Sequence, residues 1–400
     1  VAREREAMAS SHDEVCTSMS SMTMIRDVGD DSVMSYADLE VQARELAAVL
    51  RHSVHRISST SSSPTSIMDD CRGDNYGDRP KVSVLAPNNS SILAIHFAAA
   101  LVDGVVGNHN THLVAPELAY QLECFKPHTV AIASGDSNSL DAVFNAAMAL
   151  INCDDNFAAP PLRISVPLSA SELRSLMNGA PEPERLLSSS SREGDVLDPI
   201  RGFLPSDPYM LYFTSGTSGK PKGVMLTQAI VCKHAVGTMS EMRLHSDDVW
   251  LHAAPMFHLV DAFAIYAITG VKGQHVIQPS FEASSTLRVI EREGVTVLNM
   301  ASTMVALMCA NPTLGLVDLS SLRLVSCGGS PLASAVVKRA ISSFGCEFFV
   351  SYGMTECCGK ISMSLLESAQ RDIDSYFASQ LETVCTSGRP FRLQDVRVVA

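Results

Sequence analysis

The sequence predicts an α/β fold built on a mainly parallel sheet with helices on its faces. From Lys81 onwards, short apolar runs alternate with segments of helical length, as in successive β–α–β units. Several apolar runs end in segments rich in glycine and hydroxyl residues, and open α/β sheets bind their ligands at such strand ends. The chain has 400 residues, of which 46% are hydrophobic and 18% charged. This composition is typical of a globular protein with a large core.

Charge and hydropathy argue against several classes of function. The net charge of −13 disfavours a nucleic-acid partner or an anionic membrane surface. No apolar run reaches the roughly 18–20 residues of a membrane span, and residues 1–10 show no secretory signal pattern. The 11 cysteines lack ligand-like spacing, so we expect neither a zinc site nor a disulfide framework. We expect an intracellular, cytoplasmic protein, with a peroxisomal location as the alternative; the oligomeric state is not predicted.

The N-terminal part of the chain contains one strong helix signal. Residues 1–30 are polar and aperiodic, which predicts a loose tail. Ser35 and Asp38 predict a capping box at the start of a helix. The apolar residues that follow fall on one helical face: Leu39, Ala43, Leu46, Ala47 and Leu50. The serine-rich residues 52–80 predict an exposed insertion.

The alternating pattern then predicts elements along the rest of the chain. Strands are expected at 82–86, 129–133, 249–253, 295–299, 322–326 and 348–350. Helices are expected at 91–102 (capped by Asn88 or Asn89), 116–123, 260–268, 302–309 and 333–344. Residues 169–201 predict a surface connection, and 388–390 a turn before a strand at 396–399. We expect two α/β halves, at about 31–205 and 206–365, and the start of a β-rich subdomain at about 380–400.

The segment 209–227 predicts a strand, a loop and a second strand. Its loop carries three glycines and two ammonium groups, Lys220 and Lys222, together with the hydroxyls of Thr214, Ser215, Thr217 and Ser218. Backbone N–H groups, hydroxyls and positive charge favour a polyphosphate ligand. A Walker loop is excluded, because Pro221 follows Lys220 where a helix would have to begin. A flexible linker is disfavoured by the flanking strand patterns.

Four blocks of sequence resemble the adenylate-forming (AMP-binding) superfamily. They are TSGTSGKPKGV at 214–224, PMFH at 255–258, CGGSPL at 327–332 and VSYGMTE at 350–356. The chain is similar to acyl-CoA synthetases and coumarate-CoA ligase-like enzymes, and the resemblance covers about residues 36–400. It implies the large N-terminal domain of that fold over 31–400, with two packed, mainly parallel sheets and the start of a small β-barrel. It also implies that the ribose-binding Asp, the hinge and the small C-terminal lid domain lie outside residues 1–400.

The resemblance implies a two-step reaction. A carboxylate first attacks the α-phosphate of ATP and gives an acyl-adenylate, and coenzyme A then takes the acyl group. The implied cofactors are ATP, magnesium and coenzyme A, and the implied partner is a small carboxylic acid. The expected substrate is a fatty or other hydrophobic acid, because the implied pocket residues include no Asp or Lys that could bind the charged groups of an amino acid. The alternatives are a non-catalytic nucleotide-binding relative or truncated fragment, and an adenylation domain or luciferase-like enzyme. Residues 1–400 alone are expected to be poorly active.

The resemblance also implies an ATP site. Lys222 would contact the β- and γ-phosphates, whereas Lys220 is either a second contact or a solvated charge. Thr355 would donate to the α-phosphate and Glu356 would bind magnesium, with Thr217 as a second candidate. Tyr352 would stack on adenine, its alternative being a core tyrosine. The complete implied set is Thr214, Ser215, Gly216, Thr217, Ser218, Gly219, Lys222, Gly328, Gly329, Ser330, Ser351, Tyr352, Gly353, Met354 and Thr355.

The acyl pocket is implied by the segments beside this site. His258 would orient the substrate or gate the pocket, its alternative being a packing histidine. The catalytic set is therefore Lys222, Thr355, Glu356 and His258. The pocket residues, for which an ordinary core position is the alternative, are His258, Met300, Ala301, Ser302, Thr303, Cys327, Gly328, Met354 and Cys357.

Overall fold

The structure, a computed structural model, describes residues 23–58, 79–133, 140–151, 160–176, 204–214, 219–330, 333–366 and 388–397. The first described elements are a short hairpin, β1 (Thr23–Asp27) and β2 (Val33–Ser35), and the long helix α1 (Tyr36–Ser58). The predicted capping box is confirmed, because the Ser35 N–H donates to Asp38 Oδ2 (2.9 Å) and the Asp38 N–H donates to Ser35 Oγ (3.1 Å). Buried Leu39, Leu46 and Leu50 confirm the predicted apolar face of α1.

A six-stranded sheet forms the first layer. In chain order its strands are β3 (Lys81–Leu85), β4 (Val105–Asn108), β5 (Thr129–Ala133), β6 (Leu162–Val166), β7 (Pro208–Thr214) and β8 (Lys222–Thr227). Their order in space is β6-β5-β3-β4-β7-β8, and all pairs are parallel except the β7–β8 hairpin. The helices between them are α2 (Ser91–Leu101), α3 (Ala115–Phe125), α4 (Leu140–Leu150) and α5 (Ala170–Leu176).

A nine-stranded sheet forms the second layer. After α6 (Gln228–Glu241), its strands are β9 (Val249–His252), β10 (Gln274–Ile277), β11 (Val297–Ala301), β12 (Leu324–Gly328), β13 (Glu347–Met354), β14 (Gly359–Leu366) and β15 (Arg389–Pro390). The spatial order is β15-β14-β13-β12-β11-β9-β10-β1-β2, parallel in the centre and antiparallel at both edges. The connecting helices are α7 (Leu259–Ala262), α8 (Ala264–Val271), α9 (Ala283–Glu293), α10 (Ser302–Ala310) and α11 (Ser334–Phe344).

Buried apolar side chains pack between the layers. One core cluster includes residues of both sheets, such as Val84 and Ile277, and Met256 from the segment after β9, together with the buried faces of α1 and α2. A second cluster lies between the large sheet and the helices α9, α10 and α11. Across the described part of the chain, no helix is both long and apolar enough to cross a bilayer.

Several predicted boundaries are corrected by long-range strand pairing. Residues 23–27, assigned to a tail, form β1, which pairs in parallel with β10. The β7–β8 hairpin, assigned to the second half, completes the first sheet. Residues 389–390, assigned to the start of a β-rich subdomain, extend the large sheet beside β14. Of the strand predicted at 396–399, residues 396–397 form no strand and residues 398–399 lie outside the described ranges. Helix α1 continues to residue 58, inside the predicted insertion; residues 1–22 and 59–78 lie outside the described ranges.

Asn88 connects the two layers through hydrogen bonds. Its side chain is 3% exposed, and its Nδ2 donates to the carbonyls of His252 (3.2 Å) and Ala254 (2.9 Å). Its Oδ1 accepts the N–H of Met256 at 2.8 Å. The predicted cap at Asn88 or Asn89 is wrong, because Ser90 is the N-cap residue of α2 and makes no side-chain cap bond. Asn89 forms a local turn, in which its Oδ1 accepts the Ser91 N–H at 3.1 Å. Asn88 therefore fixes the segment that leads to His258.

Replacing Asn88 with Ala should lower the free energy of unfolding by about 2–3 kcal/mol, because buried backbone groups would lose their partners. The matched variant Asn89→Ala loses only local bonds and should cost about 1 kcal/mol. Urea unfolding of both variants measures the difference. Equal losses would show that the Asn88 bonds do not hold the layers together.

Candidate active site

The β7–β8 hairpin presents the loop rich in glycine, serine and threonine. Thr214 and Lys222 pair across the hairpin at the two ends of the loop, and the side chain of Lys222 is exposed. Tyr120 on α3 supports the loop, since its hydroxyl donates to the Pro221 carbonyl at 3.2 Å and its ring centroid lies 5.5 Å from Lys220 Nζ. Ser215, Gly216, Thr217 and Ser218 lie outside the described residues, so their predicted contacts remain predictions.

The segment that follows β13 contacts the hairpin. Strands β11, β12 and β13 are neighbours in the large sheet, so their carboxyl ends lie at one edge. After β13, a 3₁₀ turn (Thr355–Cys357) carries Glu356 and packs against β8. The carboxylate segment and the Lys222 strand are thereby brought together, although they come from different sheets.

Two glycines allow the backbone to close at this edge. A Cβ at Gly328 would lie 2.5 Å from Ser351 Oγ, and a Cβ at Gly353 would overlap the Gly359 carbonyl. Neither position could hold a larger residue without moving a strand.

The Gly353→Ala variant should therefore lose about 1–3 kcal/mol of stability, because the new methyl group forces β13 and β14 apart. Gly315→Ala is the matched control, since no heavy atom lies within 4 Å of its added Cβ. Urea unfolding curves compare the two variants. A Gly353→Ala protein as stable as the control would contradict the close approach of β13 and β14.

A cavity of about 600 Å³ opens at these strand ends. Its walls include predicted residues of both the ATP set and the acyl set. These are His258, Ala301, Thr303, Gly328, Gly329, Ser330, Ser351, Gly353, Met354 and Thr355. The remaining wall residues were not predicted, and they are Pro255, Leu259, Val260, Phe263, Phe281, Asn299, Met304, Gly359 and Lys360.

His258 precedes α7 at the rim of the cavity. The residue is exposed, and its ring packs edge-on against Phe257 with centroids 4.7 Å apart. The surrounding protein still desolvates the ring in part, which lowers the pKa of His258 below its usual value. A neutral imidazole can donate one hydrogen bond and accept another, so it suits the orienting of a substrate group.

Comparison with known proteins decides the family. Residues 72–400 match the family described as AMP-binding enzyme. The chain belongs to this family. A feruloyl-CoA synthase of Amycolatopsis sp is 31% identical over 284 residues, which are 70% of this chain and 50% of that protein. A long-chain-fatty-acid–CoA ligase, FadD13, of Mycobacterium tuberculosis is 28% identical over 75% of this chain and 54% of that protein. The chain thus spans about half the length of these relatives.

Solved structures agree with the fold. The inhibitor-bound N-terminal domain of FACL13 from Mycobacterium tuberculosis superposes with a TM-score of 0.70 and 21% identity, over 95% of this chain and 81% of that one. Both sheets described above therefore follow the architecture of an N-terminal domain from this class of AMP-binding enzymes.

Two predicted pocket residues lie elsewhere in this AMP-binding domain. Met300 and Cys327 are 0% and 1% exposed in the core cluster beneath α10 and α11. Side chains alternate between the faces of a strand, and the neighbours Asn299, Ala301 and Gly328 face the cavity. Met300 and Cys327 consequently point to the opposite face.

Ser302 and Cys357 also lie outside the cavity wall. Ser302 supports the wall, since its Oγ donates to the Ser330 carbonyl at 2.8 Å. Cys357 is half-buried in the 3₁₀ turn, where burial raises the pKa of its thiol and keeps it protonated.

Tyr352 and Glu356 lie outside the cavity, on the solvent side of the same segment. Tyr352 is 53% exposed, which leaves its ring face open. The exposed Glu356 is a single carboxylate, and within the described ranges no group of three or more His, Cys, Asp or Glu residues is arranged to hold a metal. One carboxylate beside a phosphate loop fits a magnesium ion that takes its other ligands from phosphates and water.

Lys360 is the main wall residue that the sequence analysis missed. It lies on β14, and β14 was not predicted as a strand. Residues 359–366 do contain a mixed polar and apolar pattern, with a lysine beside the signature at 350–356. The lysine in this run is the signal that could have indicated a site residue. The pattern does not show, however, whether its side chain faces the cavity or the solvent.

Proposed function

We propose that this AMP-binding domain serves an ATP-dependent ligase that joins a hydrophobic carboxylic acid to coenzyme A. The observation that carries the proposal is the contact between β8, which begins at Lys222, and the turn that carries Thr355 and Glu356, beside a cavity of about 600 Å³ at one edge of the large sheet. The cavity is partly apolar, with Phe263, Phe281 and Met304 among its walls, which suits a hydrophobic acyl group. The relatives include a feruloyl-CoA synthase and a long-chain-fatty-acid–CoA ligase. Their names support the ligase class, but they do not favour an aromatic over an aliphatic acid.

The proposed reaction consists of two successive displacements. A carboxylate oxygen of the acid forms a bond to the α-phosphorus of ATP, and the bond to pyrophosphate breaks. The thiol of coenzyme A then forms a bond to the acyl carbon, AMP departs with the former carboxylate oxygen, and the thiol proton passes to solvent. The first displacement brings two anions together, so positioning and charge neutralisation are the main requirements.

The residues at the sheet edge would meet these requirements. Lys222 and the loop would hold the β- and γ-phosphates, and Thr355 would donate to the α-phosphate. Glu356 would hold magnesium, which supplies positive charge beside the phosphates. Tyr352 and the Gly328–Ser330 backbone would flank adenine, and His258 would orient the acid at the cavity rim.

Residues 1–400 alone are proposed to bind ATP weakly and to form adenylate poorly. Residues 1–400 span about half the length of the relatives that they match. Steady-state turnover by residues 1–400 that equals the turnover of the full-length protein would refute this proposal.

Acid-dependent pyrophosphate release tests the function. The assay uses the full-length protein with ATP, magnesium and a panel of fatty, aromatic and amino acids, with and without coenzyme A. Release with hydrophobic acids, accelerated by coenzyme A, supports the ligase. ATP binding without release for any acid would favour a non-catalytic nucleotide-binding relative, and release with amino acids would favour an adenylation domain.

A further inference from the structure

Lys360 is a buried lysine in the wall of the cavity. The residue is 5% exposed, whereas Tyr352 and Met354 on the neighbouring strand are 53% and 42% exposed. Lys360 pairs with Gly353 across β13 and β14, and both residues line the cavity. Lys360 therefore occupies a buried wall position beside the more exposed segment that carries the proposed phosphate contacts.

The side chain of Lys360 has an aromatic support but no acidic partner in contact. Its Nζ lies 3.3 Å from the ring centroid of Phe263, a cation–π arrangement. Among the described residues, no hydrogen bond or ion pair to Nζ is found. The backbone N–H of Lys360 donates to His234 Nε2 at 3.1 Å, which fixes the residue on β14.

The buried carboxylate that acts on Lys360 already has two hydrogen-bond partners. Asp261 is fully buried; its Oδ1 accepts from Trp250 Nε1 at 3.0 Å, and its Oδ2 lies 2.9 Å from His252 Nδ1. Asp261 therefore influences Lys360 through space without pairing with it. A buried amine that faces a cavity and lacks a partner is costly unless a ligand satisfies it.

We propose that Lys360 selects acids that carry a second carboxylate, which would bind its ammonium at the buried wall of the cavity. The reacting carboxylate would remain at the rim beside His258 and Thr355. This proposal rests on the ligase function proposed above and specifies its substrate class: a dicarboxylic acid with an apolar spacer.

Binding of a second carboxylate should depend on pH, because it requires the protonated form of Lys360. Burial lowers the pKa of Lys360 to about 7, while the negative charge of Asp261 acts in the opposite direction. The other titratable groups near it are Cys358 on the adjoining turn, His234 on α6 and His258 in the same cavity. The ammonium form is present below pH 7 and is lost above it, so binding of a second carboxylate should weaken about tenfold per pH unit above 7.

The test compares acids in pairs that differ only in a second carboxylate. Each acid is supplied as a non-hydrolysable acyl-adenylate analogue, and its binding to the 400-residue chain is measured by calorimetry from pH 6 to 9. Wild-type protein should bind at least one dicarboxylic analogue more tightly than its monocarboxylic counterpart, by roughly 100-fold. The ratio of dicarboxylic to monocarboxylic affinity should fall above pH 7. Any effect of His258 titration is the same for both members of a pair and cancels in this ratio.

Variants show whether Lys360 is responsible. Lys360→Met should abolish the preference, with monocarboxylic analogues bound at least as tightly as before, and Lys360→Arg should keep a preference that no longer falls above pH 7. The exposed Lys233→Met variant is the control for loss of a charge and should behave as wild type. A preference unchanged in Lys360→Met, or a preference for monocarboxylic or hydroxylated analogues in wild type, overturns the proposal. If no acyl-adenylate analogue binds while ATP does, the ligase function fails and this inference fails with it.

Discussion

Glu356→Ala should reduce magnesium-dependent adenylate formation by roughly 100-fold or more, because the carboxylate that would hold the metal is removed. The same variant should bind ATP equally well with and without magnesium, whereas wild-type protein should bind ATP more tightly with it. Glu356 is exposed on a short 3₁₀ turn, so its loss should leave the fold intact. Calorimetric titration of ATP with magnesium or EDTA, beside pyrophosphate release, measures both effects.

The matched control for Glu356 is Glu40→Ala, which removes an exposed carboxylate on α1 that pairs, among the described residues, with Arg44. It should leave magnesium dependence unchanged and alter the free energy of unfolding by about 0.5 kcal/mol or less. A Glu356→Ala protein that keeps its magnesium-dependent gain in ATP affinity would refute the metal assignment.

Lys222→Met should weaken ATP binding by roughly 10- to 100-fold and leave AMP binding nearly unchanged. The reason is that Lys222, at the start of β8, is proposed to contact the β- and γ-phosphates, which AMP lacks. The ratio of ATP to AMP affinity, measured by calorimetry, isolates this contact from any general loss of structure.

Lys220→Met tests the neighbouring ammonium in the same assay. Lys220 is exposed over the Tyr120 ring. An effect much smaller than that of Lys222→Met would identify Lys220 as a solvated charge. If AMP and ATP binding fell equally in Lys222→Met, the assignment of Lys222 to the outer phosphates would be wrong.

Local signals in the sequence predicted most elements of the fold. Hydrogen bonding between Ser35 and Asp38, the apolar face of α1 and the strand–loop–strand pattern around Gly219 depend on residues near one another in the chain, and each is present. The errors concern pairing between distant segments. The pairing of β1 with β10, of β7 with β4, and of β15 with β14 depends on contacts that no local pattern encodes.

The candidate site shows the same division. The signature blocks placed His258, Gly328, Gly353 and Thr355 at one cavity, because each follows or ends a recognisable strand. The prediction for Met300 failed because a one-residue step along a strand reverses the face on which a side chain lies. Lys360 was missed because burial on β14 depends on the packing of Phe263 and His234 from other elements.

Pyrophosphate release by the full-length protein with paired hydrophobic acids, measured with and without coenzyme A, tests the central claim most directly. The account predicts release that requires magnesium and a hydrophobic acid, that accelerates with coenzyme A, and that is lost in Glu356→Ala. Measurable ATP binding with no release for any fatty, aromatic or dicarboxylic acid would contradict the ligase function.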